Sequence, residues 1–309
     1  MPRTSTTISD FVREAGKRLQ ALPTSETAGE ARREAREILR QTLGLDLAQQ
    51  YAKPDQDLSE QDQARLQEIV ERRLAREPLS AILGYRDFYG HSFQVPPGGL
   101  APRPETELLV DLGLRVWAER DSALKRQAEP LQLAELCCGS GAPGLSLLRE
   151  LQVRGQESQL LLLDLDPLAV STARMNAQSL GLQAFCSFQQ ADLFPQTAGG
   201  EIPSFDLIMV NPPYIPTAEL DQLMPEVRGH EKALALDGGE DGLDFYRRLA
   251  SKIRTWLRSG AWLIMEHGEG QREAIQELFA LRADQDKLIQ MCSLDDYGGH
   301  DRVLALQYG

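Results

Sequence analysis

The 309-residue chain is poor in cysteine and histidine, with four of each. Cys137, Cys138, Cys186 and Cys292 form no CxxC pair, and His91, His230, His267 and His300 are scattered without ligand spacing. That excludes a zinc site of the usual spacing, so reduced thiols and no metal are expected. Positive charge is in deficit as well. Lys+Arg 33 against Asp+Glu 46 leaves a net charge of −13, which argues against a broadly basic nucleic-acid-binding face, although not against a local patch. No apolar run approaches the length that crosses a bilayer, and the opening MPRTSTTISDFVREAG lacks the apolar stretch of a signal peptide. No membrane contact and a cytoplasmic location are therefore expected. What is present is 42% hydrophobic and 26% charged residues, enough to build a folded core and, at this length, two domains.

Residues 1–83 carry helical periodicity and no strand pattern. Ser59 followed by Asp62 predicts a capping box, and Leu66, Ile69, Val70 and Leu74 share one helical face before Pro78. Residues 84–103, with YRDFYGHSFQV and then PPGG, alternate and turn, which predicts a β-hairpin linker. From Pro104 to Glu119 the pattern is helical, and apolar runs then alternate with helical stretches through residues 104–309. The predicted strands are Leu131–Leu136, Leu160–Asp164, Phe185–Phe188, Phe205–Val210, Ala261–Glu266, Lys287–Cys292 and Val303–Gln307. Such alternation predicts an α/β fold, a doubly wound, mostly parallel seven-stranded sheet whose ligands sit beyond the carboxyl ends of its strands.

Three of those strand ends carry acids and glycines that suit a nucleotide-like ligand. The first gives AELCCGSGAPG, with Glu135 on the strand, Gly139 and Gly141 in the turn and Pro143 in the first helical turn. A tight turn with no ligand would satisfy the same glycines. The second ends at Asp164, where a carboxylate can accept both hydroxyls of a ribose, while Asp166 suits a helix cap. The third is followed by Asp192 and Leu193, where the acid or adjacent backbone can meet an adenine amino group, or the acid is an ordinary loop carboxylate.

The fourth strand leads into Asn211-Pro212-Pro213-Tyr214. Two prolines stiffen the backbone and remove two N–H donors, so carbonyl oxygens and the Asn211 amide oxygen can face a planar substrate NH₂, with Tyr214 as an aromatic wall.

With these blocks in order, PLSAILGYRDFYGHSF, APRPETELL, the glycine loop, NPPYIP, ALDGGEDGLDFYRRL, GAWLIMEHGEGQ and DRVLAL, the chain resembles the protein-(glutamine-N5) methyltransferases that modify peptide-chain release factors. APRPETELL resembles the release-factor branch specifically. The chain departs from the family at Glu135-Leu136-Cys137-Cys138-Gly139, where Asp-Leu-Gly-Thr-Gly is usual, at His230-Glu231-Lys232, where a Tyr-Glu-Pro-like triplet is usual, and at Ala81, where an aromatic is common.

The resemblance implies the class I methyltransferase fold, S-adenosylmethionine as cofactor and methyl transfer to the glutamine amide nitrogen in the Gly-Gly-Gln loop of a release factor. It implies cofactor contacts from Glu135, Cys137, Cys138, Gly139, Ser140, Gly141, Asp164, Asp192, Leu193 and Asn211. Catalysis falls to Asn211, Pro212 and Tyr214, with Pro213 and Phe88 on the substrate side. Phe88 and Tyr89 are expected to line the glutamine entrance, Arg103, Glu105 and Glu107 to close over the cofactor, and the helical domain to help recognise the protein substrate. Two other functions fit the same residues: an adenine or cytosine amino-methyltransferase acting on DNA or RNA, because NPPY offers its acceptors to any planar NH₂, and a non-catalytic protein-binding module on a decayed fold.

Overall fold

Short polar side chains set the first helices by capping their free N–H groups. The computed structural model describes residues 6–23, 27–119, 129–195, 203–280, 288–296 and 298–309. In it Thr7 and Asp10 form a reciprocal box at the start of α1 (Ile8–Leu19), as do Thr27 and Glu30 at α2 (Ala28–Leu43) and Asp46 and Gln49 at α3 (Leu47–Ala52). The box expected at Ser59 forms only by half. Ser59 accepts the Asp62 N–H and starts α4 (Glu60–Leu74), but it is the Ser59 hydroxyl, at 2.6 Å, that donates to the Asp62 carboxylate. Leu66 and Val70 are buried and Ile69 and Leu74 pack against them, while the helix ends ahead of Pro78, which precedes the short α5 (Leu79–Leu83).

Contacts divide the chain into two units, Met1–Gly84 with Pro225–His230, and Tyr85–Met224 with Glu231–Gly309. The first unit is therefore not a single stretch of sequence. Inside it, Arg73 is buried and pairs with Glu34 at 2.6 Å and with Glu226 at 3.6 Å, and Arg76 reaches Glu226 at 2.7 Å.

In the second unit, β1 (Tyr85–Phe88) and β2 (His91–Gln94) form the expected hairpin, turned by Tyr89 and Gly90 at positive φ. The helix α6 (Glu107–Glu119) follows a 3-10 turn at Pro104–Thr106. Then come β3 (Leu131–Leu136), α7 (Ala142–Val153), β4 (Ser158–Asp164), α8 (Pro167–Ser179), β5 (Cys186–Gln190) and β6 (Phe205–Val210). After β6 lie α9 (Pro225–Arg228), which belongs to the first unit, then α10 (Asp244–Lys252), β7 (Leu257–Glu266), α11 (Arg272–Ala280), β8 (Leu288–Asp295) and β9 (Asp301–Tyr308). Each predicted strand coincides with an observed one, to within a few residues at its ends; Lys287 lies outside the described residues.

The seven strands run in the order β5-β4-β3-β6-β7-β9-β8, parallel except for β9. Alternate residues feed two cores. Leu133, Leu207 and Ile264 pack with α6 and α7 on one face, and Ala134, Ile208 and Leu263 pack with α10 and α11 on the other. Covering both faces is what parallel strands require, and it explains why they read as apolar runs rather than alternations.

Arg73→Ala leaves Glu34 and Glu226 facing a vacated charge inside the first unit, so it should cost about 3–5 kcal/mol of stability, measured by urea unfolding followed through far-UV circular dichroism. A loss below ~1 kcal/mol, the scale of an exposed pair, would mean that the pairing contributes little.

Candidate active site

The strand order reverses between β3 and β6, and their register pairs Leu136 with Val210. Cys137 and Asn211 therefore leave neighbouring strands at the same level, the position where open α/β sheets bind ligands. The loop after β3 turns sharply: Cys137, Gly139 and Gly141 all have positive φ, at 54°, 52° and 74°. Gly141 caps α7, and Pro143 occupies that helix's first turn as predicted.

Two buried acids hold this loop. The Glu135 carboxylate accepts the Gly144 N–H at 2.9 Å, capping α7 from the adjacent strand, and a Cβ on Gly144 would lie 2.4 Å from that oxygen. Burial pushes the Glu135 carboxyl up to about 8. Asp164 accepts the Gly139 and Asp166 N–H groups, each at 2.9 Å, and burial raises its carboxyl. Asp166 is the cap expected of it, accepting the Leu168 N–H at 3.0 Å, and its other oxygen pairs with Lys232. Burial opposes ionisation of Asp166, but the Lys232 ammonium and the Leu168 N–H outweigh it and hold the carboxyl below its ordinary range.

The NPPY segment is built into its surroundings by backbone. Ile215 N–H donates to Leu236, Gly238 N–H to Ile215 and Thr217 N–H to Gly239, and Gln271 donates to the Tyr214 carbonyl at 2.9 Å. A Cβ on Gly242, whose φ is +76°, would lie 2.3 Å from the Tyr214 carbonyl oxygen, and one on Gly238 would lie 2.8 Å from the Tyr214 Cα. ALDGGEDG is thus the bed on which NPPY rests. Asn211 donates from Nδ2 to the Thr106 hydroxyl at 3.3 Å, and the Tyr214 hydroxyl donates to buried Glu266 at 3.3 Å.

Two clefts meet at Cys137, Gly139, Ser140 and Asn211. One, about 910 Å³ including its open mouth, is walled by Asp164, Asp192, Leu193, Pro213 and Phe245. The other, about 630 Å³, is walled by Arg103, Thr106, Glu135, Pro212, Tyr214 and Glu266, with Cys138 also on its wall. Gly141 borders neither, and acts through the turn it caps.

Three expectations need correction. Phe88 does not line an entrance: it is 2% exposed, packed edge-on against Phe93 at 6.0 Å in the core beneath α6. Tyr89 turns toward α6, its N–H donating to Glu107 at 2.7 Å and its hydroxyl to Asp111 at 2.8 Å. Glu107 is consumed by that contact, and among Arg103, Glu105 and Glu107 it is Arg103 that borders a cleft, paired with Glu231 at 3.1 Å. Asp192 borders the first cleft, and its Oδ1 pairs with Arg248 at 2.7 Å. Sequence reasoning missed Thr106, Glu266 and Phe245. No helix among the described residues is long and apolar enough to cross a membrane, and no group of three metal-type side chains occurs among them.

Residues 11–84 match the family model of the PrmC N-terminal domain, and residues 110–235 match the methyltransferase small domain. A release factor glutamine methyltransferase from Geobacter sulfurreducens is 36% identical over 279 residues, 90% of each chain. Another of that name, from Bradyrhizobium diazoefficiens, is 38% identical over 88% of this chain and 87% of its own.

The chain belongs to the release factor glutamine methyltransferase family.

The human MTRF1L release factor glutamine methyltransferase, 34% identical over 82% of this chain and 75% of its own, lies within the same group. Among solved structures, the hMettl16 catalytic domain in complex with MAT2A 3'UTR hairpin 1 has a TM-score of 0.54 over 88% of each chain at 12% identity, which shows a common fold. The family resemblance and the methyltransferase fold read from the sequence are both borne out.

Two substitutions test the loop. Glu135 keeps its proton in the fold to about pH 8, whereas the unfolded chain releases it in the ordinary carboxylate range. Stability from this group is full below that range and is lost as pH rises toward 8. Wild-type melting temperature should accordingly fall between about pH 4.5 and 8 relative to Glu135→Gln, which keeps an acceptor for Gly144. Parallel melting curves for the two proteins would remove Glu135 as the cause. Cys137→Gly relieves a left-handed strain of about 1–3 kcal/mol while adding up to ~1 kcal/mol of unfolded-chain freedom and losing some thiol packing. Urea unfolding should show stability unchanged or slightly raised; a clear loss would show that thiol packing outweighs the strain.

Proposed function

We propose that the protein methylates the side-chain amide nitrogen of a glutamine in a peptide-chain release factor, using S-adenosylmethionine. The observation that carries this reading is the meeting of the β3 glycine loop and the NPPY segment at one level of the sheet, in a chain of this family. The walls of the joined clefts suit the cofactor. At Gly139 a Cβ would meet nothing within 4 Å, so bare backbone borders open space there. Asp164 stands on the wall with its carboxylate braced by two N–H groups, in place to accept ribose hydroxyls. When bound, S-adenosylmethionine supplies an activated methyl group on a sulfonium.

The chain's own residues then have one task, because an amide nitrogen is a poor nucleophile whose lone pair is delocalised into its carbonyl. Asn211 Oδ1 and the Pro212 carbonyl accept the two N–H groups and fix the direction of the nitrogen. Positive charge grows on nitrogen as its bond to carbon forms, and those oxygens stabilise it more in the transition state than in the ground state. Tyr214 walls the amide plane, and its hydroxyl, buried beside Glu266, is pushed up to about 12 and stays neutral.

The direct test is mass spectrometry of a release factor incubated with enzyme and S-adenosylmethionine, with DNA and RNA as competing substrates. Gain of one methyl on the loop glutamine is expected. Modification of nucleic acid alone would favour base methylation, and failure to bind S-adenosylmethionine in calorimetry would favour a binding module. Asn211→Ala should lower the single-turnover rate by ~10²–10³, far more than it weakens the binding of either ligand. A near-normal rate would reduce NPPY to a stiff loop.

A further inference from the structure

Glu266 is the last residue of β7, and its predecessor Met265 pairs with Val210, so Glu266 and Asn211 emerge side by side from adjacent strands. Its side chain is 1% exposed and borders the cleft that holds Asn211, Pro212 and Tyr214. Oε1 accepts the Tyr214 hydroxyl at 3.3 Å, whereas Oε2 is buried without a hydrogen bond that meets ordinary geometry. Burying a carboxylate so incompletely satisfied costs several kcal/mol of solvation, and Gln or Met would fill the same space more cheaply. Nothing in the packing of β7 calls for an acid here.

The arrangement of donors and acceptors does call for one. The Thr106 hydroxyl oxygen accepts the Asn211 Nδ2–H at 3.3 Å, which leaves its own proton to donate, and the same hydroxyl interacts with the Glu266 carboxylate. An ionised carboxylate accepts only, whereas a hydroxyl does both and an amide end does one or the other according to how it is turned. A charged Glu266 beside Thr106 draws the Thr106 proton toward itself, which leaves the Thr106 oxygen to accept the Asn211 NH₂. The amide of Asn211 is thereby turned with its oxygen away from Thr106. With a donor in place of Glu266, the Thr106 proton can instead point at Asn211, and the amide turns round to show the wrong pole.

We propose that Glu266 is a positioning residue for methyl transfer, which through Thr106 orients the Asn211 amide so that its oxygen faces the substrate NH₂. This deepens the glutamine-methylation reading and rests on it for the identity of that NH₂. The groups facing Glu266 are Arg103, Glu105 and Thr106 from the segment before α6, Tyr214 after β6 and Tyr246 from α10, whose hydroxyl donates to the Glu266 backbone carbonyl at 2.7 Å. Burial raises the Glu266 carboxyl, Glu105 raises it further, and Thr106, Arg103 and Tyr214 oppose the rise. Orientation is present in the ionised form and is lost as pH falls through that raised value.

Glu266→Gln places a donor beside Thr106 while keeping the shape of the side chain, and Glu266→Asp keeps the charge. Single-turnover transfer by Glu266→Gln is expected to fall roughly 10–100-fold with cofactor affinity unchanged, and Glu266→Asp to recover much of the loss. The second arm needs neither cofactor nor substrate: the Asn211 side-chain amide resonances, followed by ¹⁵N NMR, should shift with pH in the wild-type protein and not in Glu266→Gln. A folded Glu266→Gln with wild-type transfer rates, or Asn211 resonances indifferent to both pH and the substitution, would overturn the proposal. Absence of methyl transfer by the wild-type protein would instead defeat the glutamine reading, and the NMR arm would still decide the role of Glu266.

Discussion

The parallel pairing of β3 with β6 is the constraint on which the site depends. Registering Leu136 against Val210 sets a loop that needs glycine-like backbone beside a segment that needs proline stiffness, although some seventy residues of chain separate them. Every other part of the site answers to that pairing. Glu135 and Asp164 fasten the loop from β3 and β4, and the segment around Gly238 and Gly242 supports the NPPY backbone from below. Were β6 to slip by one residue, the apolar faces of Ile208 and Met209 would exchange sides, so the two cores themselves defend the register.

Buried carboxyl groups tie the segments of this site together. Glu135, Asp164 and Glu266 all have burial as the leading influence, and all three titrate above their usual range. Each is held by donors from another segment: Gly144 for Glu135, Gly139 for Asp164, Tyr214 for Glu266. The acids thus serve as fasteners between segments as well as walls of the clefts, and the same desolvation that makes them costly makes their hydrogen bonds stronger.

The sheet was legible because its strands are buried on both faces, which writes them as uninterrupted apolar runs such as Phe205–Val210. Asp164 was legible as a candidate because it falls at a strand exit, where open α/β sheets bind ligands. Phe88 misled for the opposite reason: an aromatic in a two-stranded hairpin reads alike whether it faces a ligand or a helix, and only the packing of α6 decides. Glu266 escaped because it closes a strand of apolar residues and its partner Tyr214 lies fifty-two positions earlier. Thr7, Thr27 and Asp46 carry the same three-residue spacing to a capping partner that Ser59 does. The return of Pro225–His230 to the helical unit has no sequence signature; Glu226 makes ion pairs there with Arg73 and Arg76.

The fit of Gly242 beneath the Tyr214 carbonyl bears on how this protein can change over generations. An added methyl group there would meet the Tyr214 carbonyl as well as the Gln271 side chain, and no rotamer change nearby can move that backbone aside. The tetrapeptide and its glycine-rich bed are consequently a single heritable part written in two places. Recombination that joined the first from one lineage to the second from another would have to carry both halves intact.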